Sequence, residues 1–561
     1  MRYTEKLHAQ QLISLCKQKD ISEVIISPGS RNAPLVIGFT EDVFFTCFSI
    51  VDERCAAFFA LGIAQKKRKP VALICTSGSA VLNYYPAIAE AYYSEIPLLV
   101  LSADRPPQKI DIGDGQTIRQ SHVFRPHILY SDDLVEFNHL AQTKQRIHNE
   151  SAINAAINTA VVQKGPVHLN IAFEEPLYRT TQQAIVQPKN IVADAPQGKS
   201  LSEAVIKTWK AARKRMIIVG VLPPDSISEK VLHELLQDES ILMLSESTSN
   251  LQHAKIVNHI DTLLAPIENN PKLLAQLQPD ILISIGGMVV SKKIKKFLRD
   301  YSPKNHYHIG PSTAYDTYFS LNEHFDAPIN ESLETLAKHK ATQSFAPYWI
   351  TQQRRSIEAQ QHYLSQIAWS DFRAFNTVFT TLPKGYEVHL SNSSTVRYAQ
   401  LFKPPKQVDF YCNRGTSGID GSTSTAIGHA WASPRQNLLI TGDLSFFYDS
   451  NALWIDAVPR NFKIIIINNQ GGGIFKILPG NADSENFERY FVTRHQLTAE
   501  HLCNQFDYAY FSASSEDDLH KNLADFYNFS TKPAVLEVFT GDAPHHEILL
   551  NYFISLKDLY I

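Results

Sequence analysis

The stretch richest in chemistry is Gly442-Asp443-Leu444-Ser445, followed one crossover later by Asn468-Asn469-Gln470-Gly471. Residues 438–441 read as a short apolar strand ending at Gly442-Asp443. Residues 451–458 can form a helix closed by Pro459, and residues 464–467 are apolar enough for a strand buried on both faces. A β-α-β crossover of this length puts both strand ends at the same edge of a parallel sheet. There Asp443 offers a carboxylate, Asn469 an amide oxygen, and the Gly471 carbonyl can turn toward the same point. Three oxygens with room for phosphate oxygens suit an octahedral Mg²⁺. The N-terminus of a helix after Asp443 adds donors for an anion. An Asp after a strand is often only a helix cap, and Asn-Gly often only a turn. Together at crossover spacing they point to a metal-anchored diphosphate.

Such a site needs a large scaffold, and the chain provides one. Its 561 residues suffice for about three or four domains, and a 44% hydrophobic content supports large cores. Lys plus Arg number 53 against 56 Asp plus Glu, a net charge of -3. That balance argues against a general nucleic-acid or membrane-surface binder. The six cysteines show no metal or redox spacing and read as reduced thiols of a cytoplasmic protein. Residues 1–20 read as an amphipathic helix rather than a signal peptide, and no apolar run approaches a membrane span. Glycine is sparse, 23 in all, and concentrated between positions 415 and 480, where backbone must turn tightly or approach something closely.

In the first third, residues 7–16 read as a helix, and 24–27, 71–76, 98–102 and 167–171 as strands, with a helix over 79–91. This alternation predicts a doubly wound parallel sheet. Residues 180–199 read as a linker. Strands at 216–220 and 281–285 mark a middle unit, and the polar stretch 338–353 a second connector. Strands near 388–391, 438–441, 464–467 and 535–539 complete a third unit. The expected fold is α/β, three doubly wound, mainly parallel-sheet domains over residues 1–180, 195–340 and 355–561.

Two motifs of the first third face the ligand side of its sheet. Ser27-Pro28-Gly29-Ser30-Arg31 follows a strand, where Ser30 and Arg31 can hold an anion and the guanidinium can grip a carboxylate with two bonds. An isolated motif of this kind is as easily an ordinary loop. Asp52-Glu53-Arg54 lies between apolar segments, so its carboxylates can be desolvated with raised pKa, or simply stabilise a helix N-terminus.

The Gly-Asp and Asn-Asn pairing resembles the signature of thiamine diphosphate (ThDP)-dependent enzymes. In that family the Asp, the second Asn and the carbonyl two residues later bind the metal: here Asp443, Asn469 and Gly471. Leu444 replaces the usual second Gly of Gly-Asp-Gly. Within the family, residues 27–34, 52–54, 102–107, 115–120, 413–421 and 469–475 resemble the 2-succinyl-5-enolpyruvyl-6-hydroxy-3-cyclohexene-1-carboxylate synthases of menaquinone biosynthesis. The likeness runs nearly end to end and is weakest in the middle third.

The resemblance implies a reaction and a site. A ThDP carbanion attacks 2-oxoglutarate, CO₂ leaves, and the resulting succinyl-semialdehyde carbanion equivalent adds to isochorismate by conjugate addition. Glu53 matches the glutamate that hydrogen-bonds the cofactor's aminopyrimidine and promotes its imino tautomer. Cofactor contacts match Ser393, Ile419, Asp443, Leu444, Ser445, Asn469 and Gly471, with Ile419 under the cofactor enforcing its bent shape. The metal is Mg²⁺, with Mn²⁺ as an alternative. Substrate contacts match Ser30, Arg31, Arg105, Gln116, Lys292, Arg397 and Arg414, with Ile474 and Phe475 as an apolar wall. Each substrate carries two carboxylates, so several fixed cations are expected despite the acidic chain. Lys292 is followed by Lys293 where the family tends to have Arg, and Lys lacks the bidentate fork. The family also implies a homodimer or homotetramer whose active site lies at a subunit interface. The nearest alternative is another ThDP enzyme, such as an acetolactate synthase or 2-oxoacid decarboxylase. A non-catalytic homologue is disfavoured by the intact Glu53, Asp443 and Asn469. A nicotinamide oxidoreductase is disfavoured because Ile218-Val219-Gly220-Val221-Leu222-Pro223 lacks the dinucleotide glycine pattern.

Overall fold

The structure is a computed structural model that describes residues 2–193, 198–403, 405–477 and 485–560. Residues 194–197 of the expected linker, with the expected start of the middle domain, and Gly480 of the glycine-rich region lie outside the described residues.

Three six-stranded parallel sheets follow one another along the chain. The first holds β1 (Glu23–Ile26), β2 (Thr46–Ser49), β3 (Val71–Cys75), β4 (Leu98–Asp104), β5 (Tyr130–Leu134) and β6 (Val167–Ala172), in the spatial order β2-β1-β3-β4-β6-β5. The second holds β7 (Arg215–Val219), β8 (Ile241–Ser245), β9 (Ile256–Val257), β10 (Ile281–Ile285), β11 (Asn305–Ile309) and β12 (Leu321–Phe325), in the order β9-β8-β7-β10-β11-β12. The third holds β13 (Glu387–Leu390), β14 (Asp409–Tyr411), β15 (Asn437–Gly442), β16 (Phe462–Asn468), β17 (Ala509–Ala513) and β18 (Ala534–Phe539). Its order, β14-β13-β15-β16-β18-β17, repeats that of the first. A short antiparallel pairing of Tyr3–Thr4 with Thr180–Thr181 ties the start of the chain to the end of the first unit. Among the described residues no helix is long and apolar enough to cross a membrane.

In the first sheet the strand order reverses between β1 and β3, and in the third between β13 and β15. Ligands of open α/β sheets bind outside the strand carboxyl ends at such a reversal. The motif 27–31 follows β1, and Gly442-Asp443 ends β15, so both lie at those points.

Some expected elements differ locally. The helix expected over 451–458 instead begins at once, as Asp443–Tyr448, and a 3₁₀ turn Ser450–Trp454 follows. The break falls at Asp449, whose buried carboxylate accepts the Ser424 N–H at 2.7 Å and its hydroxyl at 3.0 Å. The single helix over 79–91 is two, Ser79–Asn83 and Tyr85–Tyr93, because Pro86 has no N–H to continue the ladder. The connector over 338–353 is shorter. From residue 346 on it belongs to the Ala346–Gln366 helix, which opens with Pro347 in its first turn and is held by buried Trp349 and Ile350.

The first and third units share one hydrophobic core. Phe48, Phe58 and Phe59 pack with Ala426, Ile427, Phe446, Leu453 and Phe462. At its centre the Glu53–Lys67 helix lies directly on the Ser422–Trp431 helix. A Cβ on Gly62 would sit 2.0 Å from the Thr425 carbonyl oxygen, and one on Gly428 2.1 Å from that of Phe59. The backbones touch, and only glycine permits it. Gly62→Ala and Gly428→Ala are expected to force the helices apart. Overpacking of this kind costs about 1–3 kcal/mol, more than the ~1 kcal/mol gained in helix propensity. Each variant should therefore melt at a lower temperature than the wild type, measured by scanning calorimetry. An unchanged melting temperature would mean the contact is not tight.

Candidate active site

Asp443 is 2% exposed and sits where β15 meets its helix. Its Oδ1 accepts the Leu444 N–H at 2.6 Å, and its Oδ2 accepts the Gly471 N–H at 3.0 Å. It is thus the amide of Gly471 that faces Asp443, while the Gly471 carbonyl accepts the Gly473 N–H at 3.1 Å. Gly471 has a φ of +151°, and a Cβ there would stand 2.6 Å from the Val492 carbonyl, so the loop has no room for a side chain. His495 brings Nε2 to 3.4 Å from Asp443, and that nitrogen is buried without a hydrogen bond. Asn469, just past β16, donates its Nδ2 to Asp371 at 2.8 Å, which leaves its oxygen for the opposite side. The Ser445 hydroxyl donates to the Ile419 carbonyl at 2.7 Å and fixes the loop that presents the exposed Ile419 side chain.

Among the described residues no three His, Cys, Asp or Glu side chains converge on one point. The expected ligand set needs no such cluster. A carboxylate and an amide oxygen at adjacent strand ends, beside a buried unpaired nitrogen, are hard donors suited to a divalent cation carrying an oxyanion.

The loop after β13 holds the second group. Asn392 is 2% exposed and donates to the carbonyls of Asn413 and Gly418, both at 2.7 Å, while its Oδ1 accepts Arg414 Nη1 at 2.6 Å. Ser393 follows with a φ of +70°, a left-handed backbone at a non-glycine residue. Arg397 and Arg414 make no ion pair among the described residues, and the Nε of each is buried and unbonded. Burial first, and then the like charge of Arg414, lower the pKa of Arg397. Two guanidinium groups that sense each other and make no ion pair can receive an anion.

In the first unit, Arg31 is 4% exposed, donates Nη1 to the Phe173 carbonyl at 2.9 Å and lies 3.1 Å from Glu175. Ser30 beside it is exposed. Arg105 reaches the Gly115 carbonyl at 3.0 Å, and Gln116, at φ +57°, donates to the Ser77 carbonyl at 3.2 Å. These contacts draw the 110–120 segment over the strand ends. A cavity of about 1340 Å³ opens beside it, lined by Asp104, Arg105, Ile118, Gln120, Glu174 and Glu175 among others. Ile474 is half-buried and Phe475 37% exposed, on the turn Gly473–Ile477.

Lys292 opens the Lys292–Asp300 helix of the middle unit and is exposed. Lys293 pairs with Glu268 and lies 5.6 Å from the Phe553 ring. Lys295 is the lysine of this helix that senses the arginine pair. Burial lowers its pKa, Glu246 opposes that, and Arg414, Arg299 and Arg397 add to it.

Glu53 begins the Glu53–Lys67 helix and is half-buried. Burial first, then the Asp52 charge, raise its pKa. No hydrogen bond or ion pair joins it to Asp443, Asn469 or Gly471. Its neighbours are instead tied to the third unit of the same chain. Asp52 accepts from Asn451 at 2.8 Å, and Arg54 donates to the Tyr448 carbonyl at 2.8 Å.

Comparison with known proteins places this arrangement. Residues 8–125 match the N-terminal TPP (thiamine pyrophosphate) binding domain of thiamine pyrophosphate enzymes, 179–384 their middle domain, and 392–538 their C-terminal TPP binding domain. A 2-succinyl-5-enolpyruvyl-6-hydroxy-3-cyclohexene-1-carboxylate synthase of Christiangramia forsetii is 49% identical across 99% of this chain and 100% of its own length. The synthase of the same name from Flavobacterium johnsoniae is 47% identical, with the same coverage of both chains. That from Bacteroides fragilis is 34% identical, again over 99% and 100%. The chain belongs to this synthase family of thiamine pyrophosphate enzymes. The resemblance drawn from the loops therefore extends over the whole chain, the middle third included.

Asn392, Asp371 and Lys295 carry no motif in the sequence of this synthase family member. Asn392 and Asp371 act by orienting other residues, and an isolated Asn or Asp gives no spacing signal. Lys295 lies in a lysine run whose periodicity says only that one face is exposed.

The raised pKa of Glu53 has a measurable consequence. Ionised Glu53 is penalised by folding, so this penalty is absent below the unfolded value of 4.5 and sets in as pH rises through the folded value. Glu53→Gln removes the charge. The variant is expected to be more stable than wild type at pH 7 without ligand, with the gain fading as pH falls toward 4, read from melting temperatures across pH. A variant less stable at pH 7 would contradict the desolvated carboxyl.

Proposed function

We propose that the protein decarboxylates 2-oxoglutarate and adds the resulting succinyl-semialdehyde unit to isochorismate, forming 2-succinyl-5-enolpyruvyl-6-hydroxy-3-cyclohexene-1-carboxylate for menaquinone biosynthesis. The observation that carries this reading is the pair Arg397, in the short helix Ser394–Tyr398, and Arg414, in the loop after β14, neither of which makes an ion pair among the described residues. End-to-end identity to synthases of that name supports it. Another ThDP carboligase, such as an acetolactate synthase, would have less anionic substrates and no need for this pair.

When bound, ThDP supplies the electron sink that loss of CO₂ from a 2-oxoacid requires. Asp443, Asn469 and Gly471 would hold Mg²⁺, or Mn²⁺, for the diphosphate, Gly471 through the carbonyl lone pair that the Gly473 N–H leaves free, while Ser393, Ile419, Leu444 and Ser445 would line the rest of the cofactor. The Glu53 carboxyl donates a hydrogen bond to the aminopyrimidine ring. Its desolvated setting keeps the proton on that oxygen more firmly than water would. Ser30, Arg31, Arg105, Gln116, Lys292, Arg397 and Arg414 receive the substrate carboxylates, and Ile474 and Phe475 exclude water from the reacting atoms.

The domains act as 1–180, presenting Glu53; 195–340, supplying Lys292; and 355–561, holding the metal. In one chain Asp52 and Arg54 are bonded to residues 451 and 448, while no hydrogen bond or ion pair joins Glu53 to Asp443, Asn469 or Gly471; as in the family, Glu53 would serve the metal end of a second chain. Exposed Val51, Leu82, Tyr448 and Trp454 fit burial against such a copy. The working form is a cytoplasmic homodimer, or a homotetramer of two dimers.

With ThDP, Mg²⁺, 2-oxoglutarate and isochorismate, mass spectrometry is expected to detect CO₂ release and the adduct. Turnover of pyruvate with 2-oxoglutarate ignored would overturn the substrate assignment. Asp443→Ala should need about tenfold or more Mg²⁺ for half-maximal ThDP binding. Unchanged metal dependence would remove Asp443 from the metal site.

A further inference from the structure

An amide can present either its oxygen or its nitrogen to a neighbour. For Asn469 to bind a cation, the oxygen must be the atom that faces it. In this structure the choice is made from behind. Asn469 Nδ2 donates to Asp371 Oδ2 at 2.8 Å. An ionised carboxylate only accepts, so the nitrogen is held on the Asp371 side and the oxygen is turned away from it.

Asp371 is built for this task. It is 2% exposed and is the first residue of the Asp371–Thr381 helix, whose N-terminus favours a negative charge. Its Oδ1 accepts the Thr540 hydroxyl at 2.7 Å, just past β18. Its own N–H donates to His545 Nδ1 at 3.1 Å, and His545 Nε2 contacts the Gly541 carbonyl at 3.1 Å. His545 Nδ1 also lies 3.5 Å from the carboxylate. A buried carboxylate is costly to fold. Here it fixes the orientation of one amide.

We propose that Asp371 is a positioning residue that locks the Asn469 oxygen toward the cation site, and so sets the affinity of the protein for its divalent metal and the diphosphate that the metal carries. The inference rests on the metal role of Asp443 and Asn469 proposed above.

The test is ThDP binding to the full-length protein by titration calorimetry across a Mg²⁺ series, without substrates. Asp371→Ala and the near-isosteric Asp371→Asn are expected to raise the half-saturating Mg²⁺ about tenfold or more. The swap Asp371→Asn with Asn469→Asp returns an oxygen to the cation side, because the new amide donates to the new carboxylate. It should bring the Mg²⁺ requirement back to within about threefold of wild type. A structural role alone would not give that rescue. Wild-type Mg²⁺ dependence in Asp371→Asn, or a swap that binds no better than Asp371→Asn alone, would overturn the proposal. Wild-type protein binding ThDP without any divalent cation would instead overturn the metal site itself.

Discussion

The contact between two helix backbones at Gly62 and Gly428 governs the rest of the molecule. With Cβ positions 2.0 and 2.1 Å from opposing carbonyl oxygens, the Glu53–Lys67 and Ser422–Trp431 helices have almost no freedom to slide. Polar clamps at the rim extend the lock. Lys66 pairs with the buried Glu387, and buried Glu90 accepts the N–H groups of Gly415 and Thr416 at 2.8 and 2.6 Å. Two sheets of the same strand order, each carrying its own half of the chemistry, are thereby held in one fixed relation. Glu90 also ties the loop that bears Arg414 to the first unit.

Electrostatics follow from that packing. The chain is slightly acidic overall, yet the site gathers Arg397 and Arg414, which make no ion pair among the described residues. The acids whose charge bears on Arg397 are Asp261 and Glu246. Both are buried with raised pKa, that of Glu246 pushed up to about 7 chiefly by desolvation. Dicarboxylate substrates would supply the missing charge. Glu53 is the mirror case, a carboxyl that burial and a like charge leave readier to keep its proton.

Much of this was readable in the sequence because it is carried by local signals. Apolar runs such as 281–285 and 464–467 mark the central strands directly, and glycine and asparagine mark the strand-end loops that follow them. The parts that were not readable depend on tertiary partners. β5, β11 and β12 are polar in sequence, Tyr-Ser-Asp-Asp-Leu or Asn-His-Tyr-His-Ile, and become strands because a neighbouring strand offers a ladder. The helix expected over 451–458 starts at Asp443 instead and breaks at Asp449, which accepts from Ser424. Gly471 was expected to offer its carbonyl and here offers its N–H, since the loop is also held by Val492. Asp371 and Asn392 act only through side chains distant in sequence.

The central claim is that each chain, locked as it is, lends Glu53 to the metal site of another. Subunit complementation tests it most directly. Glu53→Gln and Asp443→Ala chains, each inactive alone, would be dissociated, mixed in equal amounts and reassociated. Half of the dimers would then pair unlike chains, with one intact site of two, so activity should recover to about a quarter of wild type. If Glu53 and Asp443 of the same chain form the site, every site in the mixture carries a defect. Activity that stays at the level of the separate variants would contradict the account.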